Sequence, residues 1–147
     1  LLRMKRVFDT NVLGAYLCAR EAARRLSRKR GGKGGAIVNV SWMGARLGAA
    51  NEYVDYAGSK GAIVTMTVGL AREIGPEGVR VNAVRPGLID TDIHASGGNP
   101  DRAARLGATT PLGRAGTAEE VAEAIVWLLS DASSYVNGAI IDVSAGR

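Results

Sequence analysis

The order of helical and extended segments predicts an α/β fold built on a parallel sheet. Helical stretches with one apolar face alternate along the chain with three short runs rich in valine and isoleucine, as in strands joined by right-handed helical crossovers. Hydrophobic residues make up 46% of the 147 residues and glycine contributes 20, whereas aromatic residues are only 5%. This composition favours helices and strands that pack closely through small side chains. We therefore expect one domain over residues 1–147 and no second domain.

The first predicted unit is a helix, a turn and a strand. The helix runs from Asp9 to about Arg30, because its apolar residues recur at alternating spacings of four and three. A glycine-rich turn over 31–35 ends it. The run 36–40 that follows is short, apolar and β-branched, which predicts a strand buried on both faces of a parallel sheet.

The second predicted unit has its elements in the same order, although the chain contains no internal sequence repeat. A helix is predicted from about 52 to 74, and the sequence Gly-Pro-Glu-Gly at 75–78 stops it. The strand 79–84 follows and ends sharply at Pro86 and Gly87. Two successive units of this kind are typical of parallel strands that lie side by side.

The remaining segments are a long irregular stretch, a helix and a strand. Residues 88–116 lack strong periodicity apart from a short predicted helix at about 100–107, and so long a loop is usually functional, for example as a lid. Thr117 and Glu120 form a capping-box pattern that opens the last helix. The last strand is predicted at about 139–143.

Charge and cysteine content exclude several classes of protein. The net charge of +5 arises from residues 1–33, where ten Lys or Arg residues meet two acidic ones. Cations near a helix C-terminus are favoured by the helix dipole, and no aromatic residue interleaves with them, so we expect no nucleic-acid partner. Cys18 is the only cysteine, and no apolar run is long enough for a membrane span. We expect a cytoplasmic protein without a membrane partner.

Tyr56 and Lys60 are the most informative pair of residues. Four residues apart on the second helix, they share one face. An ammonium near a phenol favours the phenolate, so we expect the pKa of Tyr56 to fall from its usual value of about 10. A phenol of this kind can exchange a proton in carbonyl–alcohol chemistry. Taken alone, such a pair is more often two surface neighbours.

Other motifs occur with this pair in the order found in one family. They are the segment Asn11 to Gly14, the strand Ile37 to Ser41, and the segment Val81 to Gly87 followed by Thr91. In these motifs the chain resembles the short-chain dehydrogenase/reductase family, and the resemblance covers essentially the whole chain. It implies the C-terminal half of a doubly wound, Rossmann-type parallel sheet with crossover helices.

The resemblance also implies roles for individual residues. Tyr56 would be the general acid/base. Lys60 would lower its pKa and bind the nicotinamide ribose, and Asn11, at a distortion in its helix, would help hold a water that relays protons to Lys60. The nicotinamide would contact four residues beyond the second strand. These are Pro86, Gly87 and Ile89 beside the ring, and Thr91 at the carboxamide.

The implied activity is hydride transfer between NAD or NADP and a small substrate. An alcohol, a ketone or a sugar-like molecule would serve as the substrate, and the protein would form a homodimer or a homotetramer. In the family, the helices matching 9–30 and 52–74 build the dimer interface, although packing within one chain is an equal alternative. His94, the only histidine, has no carboxylate or cysteine at ligand spacing, so no metal site is expected.

Two departures from the family pattern bear on activity. The position of the family's catalytic serine, three residues after Asn39, holds Trp42, and Ser41 lies one residue earlier. A one-residue shift on an extended segment turns a side chain to the opposite face, so Ser41 would need a rearranged loop to act.

The second departure concerns the cofactor. The glycine-rich turn 31–35 precedes a strand, whereas a pyrophosphate-binding loop follows a strand and opens a helix. We therefore expect the chain to be the C-terminal half of a longer protein and to be inactive alone. The alternative is a degenerate relative that serves as an oligomerisation or binding module.

Overall fold

The sheet of this protein has three parallel strands, as a computed structural model of all 147 residues shows. They are β1 (Gly35–Val40), β2 (Val79–Pro86) and β3 (Ile140–Val143), in the spatial order β1-β2-β3. Ile37 lies opposite Val81, and Val84 lies opposite Ile141. Each strand begins within one residue of its predicted start, and the predicted α/β class is confirmed.

Seven α-helices surround this sheet. They are α1 (Leu2–Phe8), α2 (Ala15–Leu26), α3 (Gly44–Leu47), α4 (Val54–Ile74), α5 (Ile93–Ser96), α6 (Arg102–Gly107) and α7 (Ala118–Leu129). None of them combines the length and the apolar character that crossing a bilayer requires.

The first predicted helix is more complex than its periodicity indicated. It begins at Leu2, seven residues before Asp9, and a π-helical segment, Asp9–Gly14, separates α1 from α2. The α-helix then ends at Leu26, before a short 3₁₀ turn. A π-turn contains one more residue per hydrogen-bonded ring than an α-turn, and such segments are frequent at functional sites.

Helices cover both faces of the sheet. On one face Val79 and Val81 of β2 pack against Ala71 and Ile74 of α4, and α2 packs outside them. On the other face Val84 packs against α7. Because strand residues alternate between faces, β2 contributes valines to both layers and is the most buried element.

The prediction that the first strand is buried on both faces is wrong. β1 lies at the edge of the sheet, its residues are only partly buried, and the side chain of Val40 is 46% exposed. The apolar run was read correctly as a strand, but a run of this kind does not reveal which position in the sheet it takes. Burial on both faces belongs to β2, which has a neighbour on each side.

The predicted lid, residues 88–116, is a loop whose two ends meet. Ile89 and Gly116 form a parallel bridge, the Asp90 amide donates to the Gly116 carbonyl, and the Gly116 amide donates to the Leu88 carbonyl, each at 2.9 Å. The short helix expected near 100–107 is α6, whereas the single turn of α5 was not predicted. The lid therefore begins just after β2 and returns to the same segment before α7 begins.

Candidate active site

A cavity of about 510 Å³ lies at the carboxyl ends of β1 and β2, between α4, the lid and the first turn of α7. This is the edge at which open parallel sheets bind their ligands. Six of the seven predicted site residues line it. They are Tyr56, Lys60, Pro86, Gly87, Ile89 and Thr91.

Burial sets the direction of the pKa shifts of Tyr56 and Lys60. The Lys60 Nζ lies 5.7 Å from the centroid of the Tyr56 ring and donates a hydrogen bond of 3.0 Å to the Val40 carbonyl. Burial raises the pKa of the Tyr56 phenol above 10.0 and lowers the pKa of the Lys60 ammonium below 10.5. The expectation that Lys60 lowers the pKa of Tyr56 is therefore wrong for the protein by itself. The ammonium lies over the ring and binds a strand carbonyl, and desolvation disfavours the phenolate.

Asn11 supports the helix that carries this pair. Its amide Nδ2 donates to the Ser59 hydroxyl at 3.0 Å, and that hydroxyl donates to the Tyr56 carbonyl at 2.7 Å. Ser59 is fully buried. The π-helical segment thus fixes the turn of α4 between Tyr56 and Lys60, while the role of Asn11 in a water relay stays a prediction.

Trp42 forms a wall of the cavity beside Tyr56. The two ring centroids are 5.3 Å apart and the planes meet at 62°, an edge-to-face arrangement. A Cβ added at Gly44 would lie only 2.0 Å from the Trp42 ring, so the indole rests directly on the backbone there. The position of the family's serine is thus filled by a packed aromatic ring that has no hydroxyl.

Ser41 does not replace that serine in this geometry. Its side chain is buried, with 3% of the residue exposed, and its hydroxyl donates to the Lys60 carbonyl at 2.8 Å. A hydroxyl has a single proton to donate. Ser41 therefore ties the end of β1 to α4 and has no proton left for a substrate oxygen.

The residues present suit the nicotinamide end of a dinucleotide. Pro86 and Ile89 supply an apolar wall, Thr91 supplies a hydroxyl, and Lys60 keeps two N–H donors beyond its bond to Val40. The glycine-rich turn 31–35 adjoins the amino end of β1, opposite the cavity, and none of its residues lines the cavity.

The requirement for glycine at position 87 has a cause that the sequence did not reveal. The family resemblance implies that Gly87 lies beside a nicotinamide ring. A Cβ at Gly87 would instead lie 2.7 Å from the Ser144 Cα, just beyond β3. Packing between β2 and the segment after β3 therefore accounts for this glycine.

Four cavity residues were missed or set aside on sequence grounds. They are Arg3, Tyr53, His94 and Arg102. The His94 Nε2 donates to the Ile89 carbonyl at 2.7 Å, because a carbonyl oxygen can only accept. Arg102 pairs with Glu52, 50 residues away in the chain, and no spacing rule finds a partner at that distance.

A parallel sheet with a tyrosine–lysine pair in a cleft at its carboxyl edge defines an α/β protein with a candidate active site. A family model described as enoyl-(acyl carrier protein) reductase matches residues 2–147. The chain belongs to this family of short-chain dehydrogenases/reductases.

Proteins similar to this chain are considerably longer. An uncharacterized oxidoreductase of Escherichia coli K12, YgfF, is 58% identical over 145 residues, which cover 99% of this chain and 59% of that protein. A rice glucose and ribitol dehydrogenase homolog is 37% identical over 97% of this chain and 48% of its own length. A short-chain type dehydrogenase/reductase structure from Mycobacterium ulcerans superposes with a TM-score of 0.85 at 35% identity, covering 97% of this chain and 51% of that one. The chain thus spans about half to three-fifths of the length of these relatives.

Proposed function

We propose that this chain carries the proton-transfer centre of an oxidoreductase that moves hydride between NAD or NADP and an alcohol or carbonyl substrate. One observation carries the proposal. Tyr56 and Lys60 share a single cavity with Pro86, Gly87, Ile89 and Thr91 at the carboxyl edge of the sheet. The family membership of the chain supports the same chemistry.

The nicotinamide, when bound, gives or takes the hydride. Tyr56 exchanges the accompanying proton with the substrate oxygen. Because its pKa is raised, the phenol is protonated at neutral pH and ready to protonate a carbonyl oxygen that is being reduced. Lys60 uses its remaining donors on the cofactor ribose and adds positive charge beside the phenol. Pro86 and Ile89 keep water from one side of the reacting centre, and the Thr91 hydroxyl orients the carboxamide.

The substrate is proposed to be a small alcohol, ketone or sugar-like molecule. Relatives of this chain are named for such substrates. They include an L-rhamnose 1-dehydrogenase from Azotobacter vinelandii and a cis-4-hydroxycyclohexanecarboxylate dehydrogenase from Sinomonas cyclohexanicum. We further propose a cytoplasmic protein that assembles as a homodimer or homotetramer, and a 147-residue chain that is inactive when isolated.

Replacement of Tyr56 by phenylalanine tests the proposal. In the intact protein we expect Tyr56→Phe to lower the rate of carbonyl reduction by roughly 100- to 10,000-fold, since it removes the proton donor and keeps the ring. Tyr53→Phe is the matched control, because Tyr53 lines the same cavity and lies less than one helical turn away. Steady-state assays with NADH and NADPH measure both variants. A Tyr56→Phe protein as active as the wild type would refute the assignment.

The pH dependence adds a second signature. Reduction uses the protonated phenol, so its rate should hold through neutral pH and fall as pH rises through the raised pKa of Tyr56. Oxidation uses the phenolate, so its rate should rise with pH over the same range. Both alkaline limbs should disappear in Tyr56→Phe.

The second candidate function is a non-catalytic binding or oligomerisation module. The observation that favours it is the lack of a serine hydroxyl at the usual position, since Trp42 has none and the Ser41 proton is engaged. Absence of turnover in the intact protein, together with a stable oligomer, would select this alternative.

A further inference from the structure

The lid is joined to the loop before α4 by one ion pair. The Arg102 guanidinium on α6 donates to both carboxylate oxygens of Glu52, at 2.9 and 2.6 Å, and its Cζ lies 5.7 Å from the centroid of the Tyr53 ring. Only 14% of the Arg102 side chain is exposed, against 44% for Glu52. A two-pronged, half-buried pair stacked on an aromatic face is stronger than an ordinary surface ion pair.

The loop that presents Glu52 and Tyr53 has a tightly defined shape. Ala49 has φ of 49° and Asn51 has φ of 62°, both in the left-handed region that side chains other than glycine rarely adopt. The amides of Glu52 and Tyr53 both donate to the Ala49 carbonyl, at 3.2 and 3.1 Å. The backbone that carries Glu52 and Tyr53 is therefore fixed by hydrogen bonds within the loop itself.

This contact lies at the wall of the active cavity. Arg102 and Tyr53 both line the cavity, and Tyr53 is the residue that precedes α4, three positions before Tyr56. A Cβ at Gly97 of the lid would lie 3.9 Å from the Tyr53 hydroxyl, so the chain of the lid passes close to the end of that side chain. The two ends of the lid meet at Ile89 and Gly116. Two ion pairs join the lid to other elements, Arg102–Glu52 and Arg114–Glu120, and only the first has a member that lines the cavity.

We propose that Arg102 is a positioning and specificity-determining residue, whose ion pair with Glu52 fastens the lid over the Tyr56 end of the cavity and limits which molecules reach Tyr56. In its consequence for catalysis this inference rests on the proposed function. Both prongs of the guanidinium bind Glu52, so the residue acts by closing the lid and not by binding a substrate anion. Loosening the pair admits larger substrates and weakens the retention of small ones.

The access of a small neutral quencher to Trp42 tests the closure without any assay of activity. Trp42 lines the cavity, and Trp127→Phe removes the other tryptophan. In that background of the intact protein, we expect Arg102→Met and Glu52→Gln to raise the quenching constant of Trp42 by acrylamide roughly 3- to 30-fold, the range of a half-buried charged hydrogen bond. Arg102→Lys, which keeps the charge without the fork, should give an intermediate value.

Arg114→Met is the matched control. Arg114 makes an equivalent two-pronged pair with Glu120, at 2.8 and 2.6 Å, yet it does not line the active cavity. This variant should leave quenching of Trp42 unchanged. Equal quenching in wild type, Arg102→Met and Glu52→Gln would overturn the proposal, as would an equal increase in Arg114→Met.

Steady-state kinetics test the effect on specificity. Arg102→Met should raise KM for a small carbonyl substrate more than it lowers kcat, and should shift kcat/KM toward bulkier carbonyls. Quenching that responds as expected while selectivity stays unchanged would overturn the role in specificity. A protein without turnover but with the expected quenching pattern would contradict the proposed oxidoreductase function and still support control of access by Arg102.

Discussion

At the scale of single residues, the indole of Trp42 meets the Tyr56 phenol edge to face and rests on the backbone of Gly44. An aromatic pair of this geometry adds about 0.5–1.5 kcal/mol to stability beyond the area that it buries. The same ring occupies the place from which the family's serine would donate to the substrate oxygen. Packing is therefore gained at this position while a hydrogen-bond donor is lost.

Trp42→Ser should restore that donor. We expect carbonyl reduction by the intact protein to rise, by as much as the roughly 100- to 1000-fold that loss of such a donor costs elsewhere. Cofactor affinity should stay the same, because Trp42 is not among the residues that suit the nicotinamide. Rates and cofactor Kd measured on the same preparations check both statements.

Trp42→Ala separates the hydroxyl from the space that the smaller residue opens. It enlarges the cavity as the serine does and supplies no donor, so its rate should stay near that of the wild type. If alanine accelerates the reaction as much as serine does, the indole acts by steric hindrance alone. An unchanged rate in Trp42→Ser would mean that another group already fills the serine's role.

Contacts in the site could be predicted only where the two residues lie close together in the sequence. Tyr56 and Lys60 lie within one helical turn, so their shared face followed from the period of a helix. The Ser41 bond to Lys60 and the Arg102 bond to Glu52 join residues 19 and 50 positions apart, and only the tertiary fold brings them together. The direction of the pKa shift at Tyr56 was also missed, because burial cannot be read from a four-residue spacing.

At the scale of elements, the start of α7 follows its sequence pattern closely. The Glu120 amide donates to the Thr117 hydroxyl at 3.3 Å and the Thr117 amide donates to the Glu120 carboxylate at 2.8 Å, which completes the predicted capping box. Arg114, at the end of the lid, binds both oxygens of the same carboxylate. Glu120 thus joins the lid to the last helix as well as capping it.

The junction between Arg114 and Glu120 should stabilise the fold less in acid. The hydrogen bonds from Arg114 and the Thr117 amide lower the pKa of Glu120 from 4.5 to about 2. Because the pKa of Glu120 is lower in the folded than in the unfolded state, its ionised carboxylate stabilises the fold at pH values above 4.5. This contribution to the free energy of unfolding is lost as pH falls from 4.5 toward 2. In urea denaturation of the intact protein, the midpoint of Glu120→Gln should therefore depend less on pH over that interval than the wild-type midpoint.

Glu119→Gln is the control for this measurement, since its carboxyl lies on the same helical turn without an arginine partner. It should retain most of the wild-type pH dependence. Parallel curves for Glu120→Gln and the wild type would show that the Arg114–Glu120 pair contributes nothing measurable.

Other element features lay outside what local patterns can predict. Apolar periodicity located the first helix, but it could not show the π-helical segment Asp9–Gly14 that interrupts it. Similarly, Asn82 occurs in a segment that resembles a family motif and Asn137 lies just before β3, and only the structure shows what their side chains contact. Asn82 binds the backbone at Val136 and Ala139, while Asn137 binds Val81 and Ala71, so the two amides fix the turn into β3.

At the scale of the whole molecule, one strand edge and one helical surface expose groups that other polypeptide could cover. β1 presents an open edge, and large apolar side chains are exposed along α1, the π-helical segment and α2. They include Leu2, Phe8, Leu13, Tyr16 and Leu17. α2 and α4 do pack against one another within the chain, through Ala19, Ile63 and Met66. An open strand edge and an apolar helical face are both prone to pair with further polypeptide.

The positions of the cavity and of the glycine-rich turn predict whether the isolated 147-residue chain binds the cofactor. Its cavity offers Lys60, Thr91 and an apolar wall for a nicotinamide riboside, whereas the glycine-rich turn 31–35 lies at the opposite end of the sheet. Tight binding of dinucleotides in such folds relies on backbone amides at the start of a helix, which hold the pyrophosphate. We therefore expect fluorescence titration of the isolated chain with NADH or NADPH to show no saturable binding at micromolar concentrations. Nicotinamide mononucleotide in its reduced form should bind as weakly as the dinucleotides, because the adenylate half finds no partner on these residues. Micromolar binding that prefers the dinucleotide would show instead that this chain holds the pyrophosphate by contacts other than a glycine-rich loop.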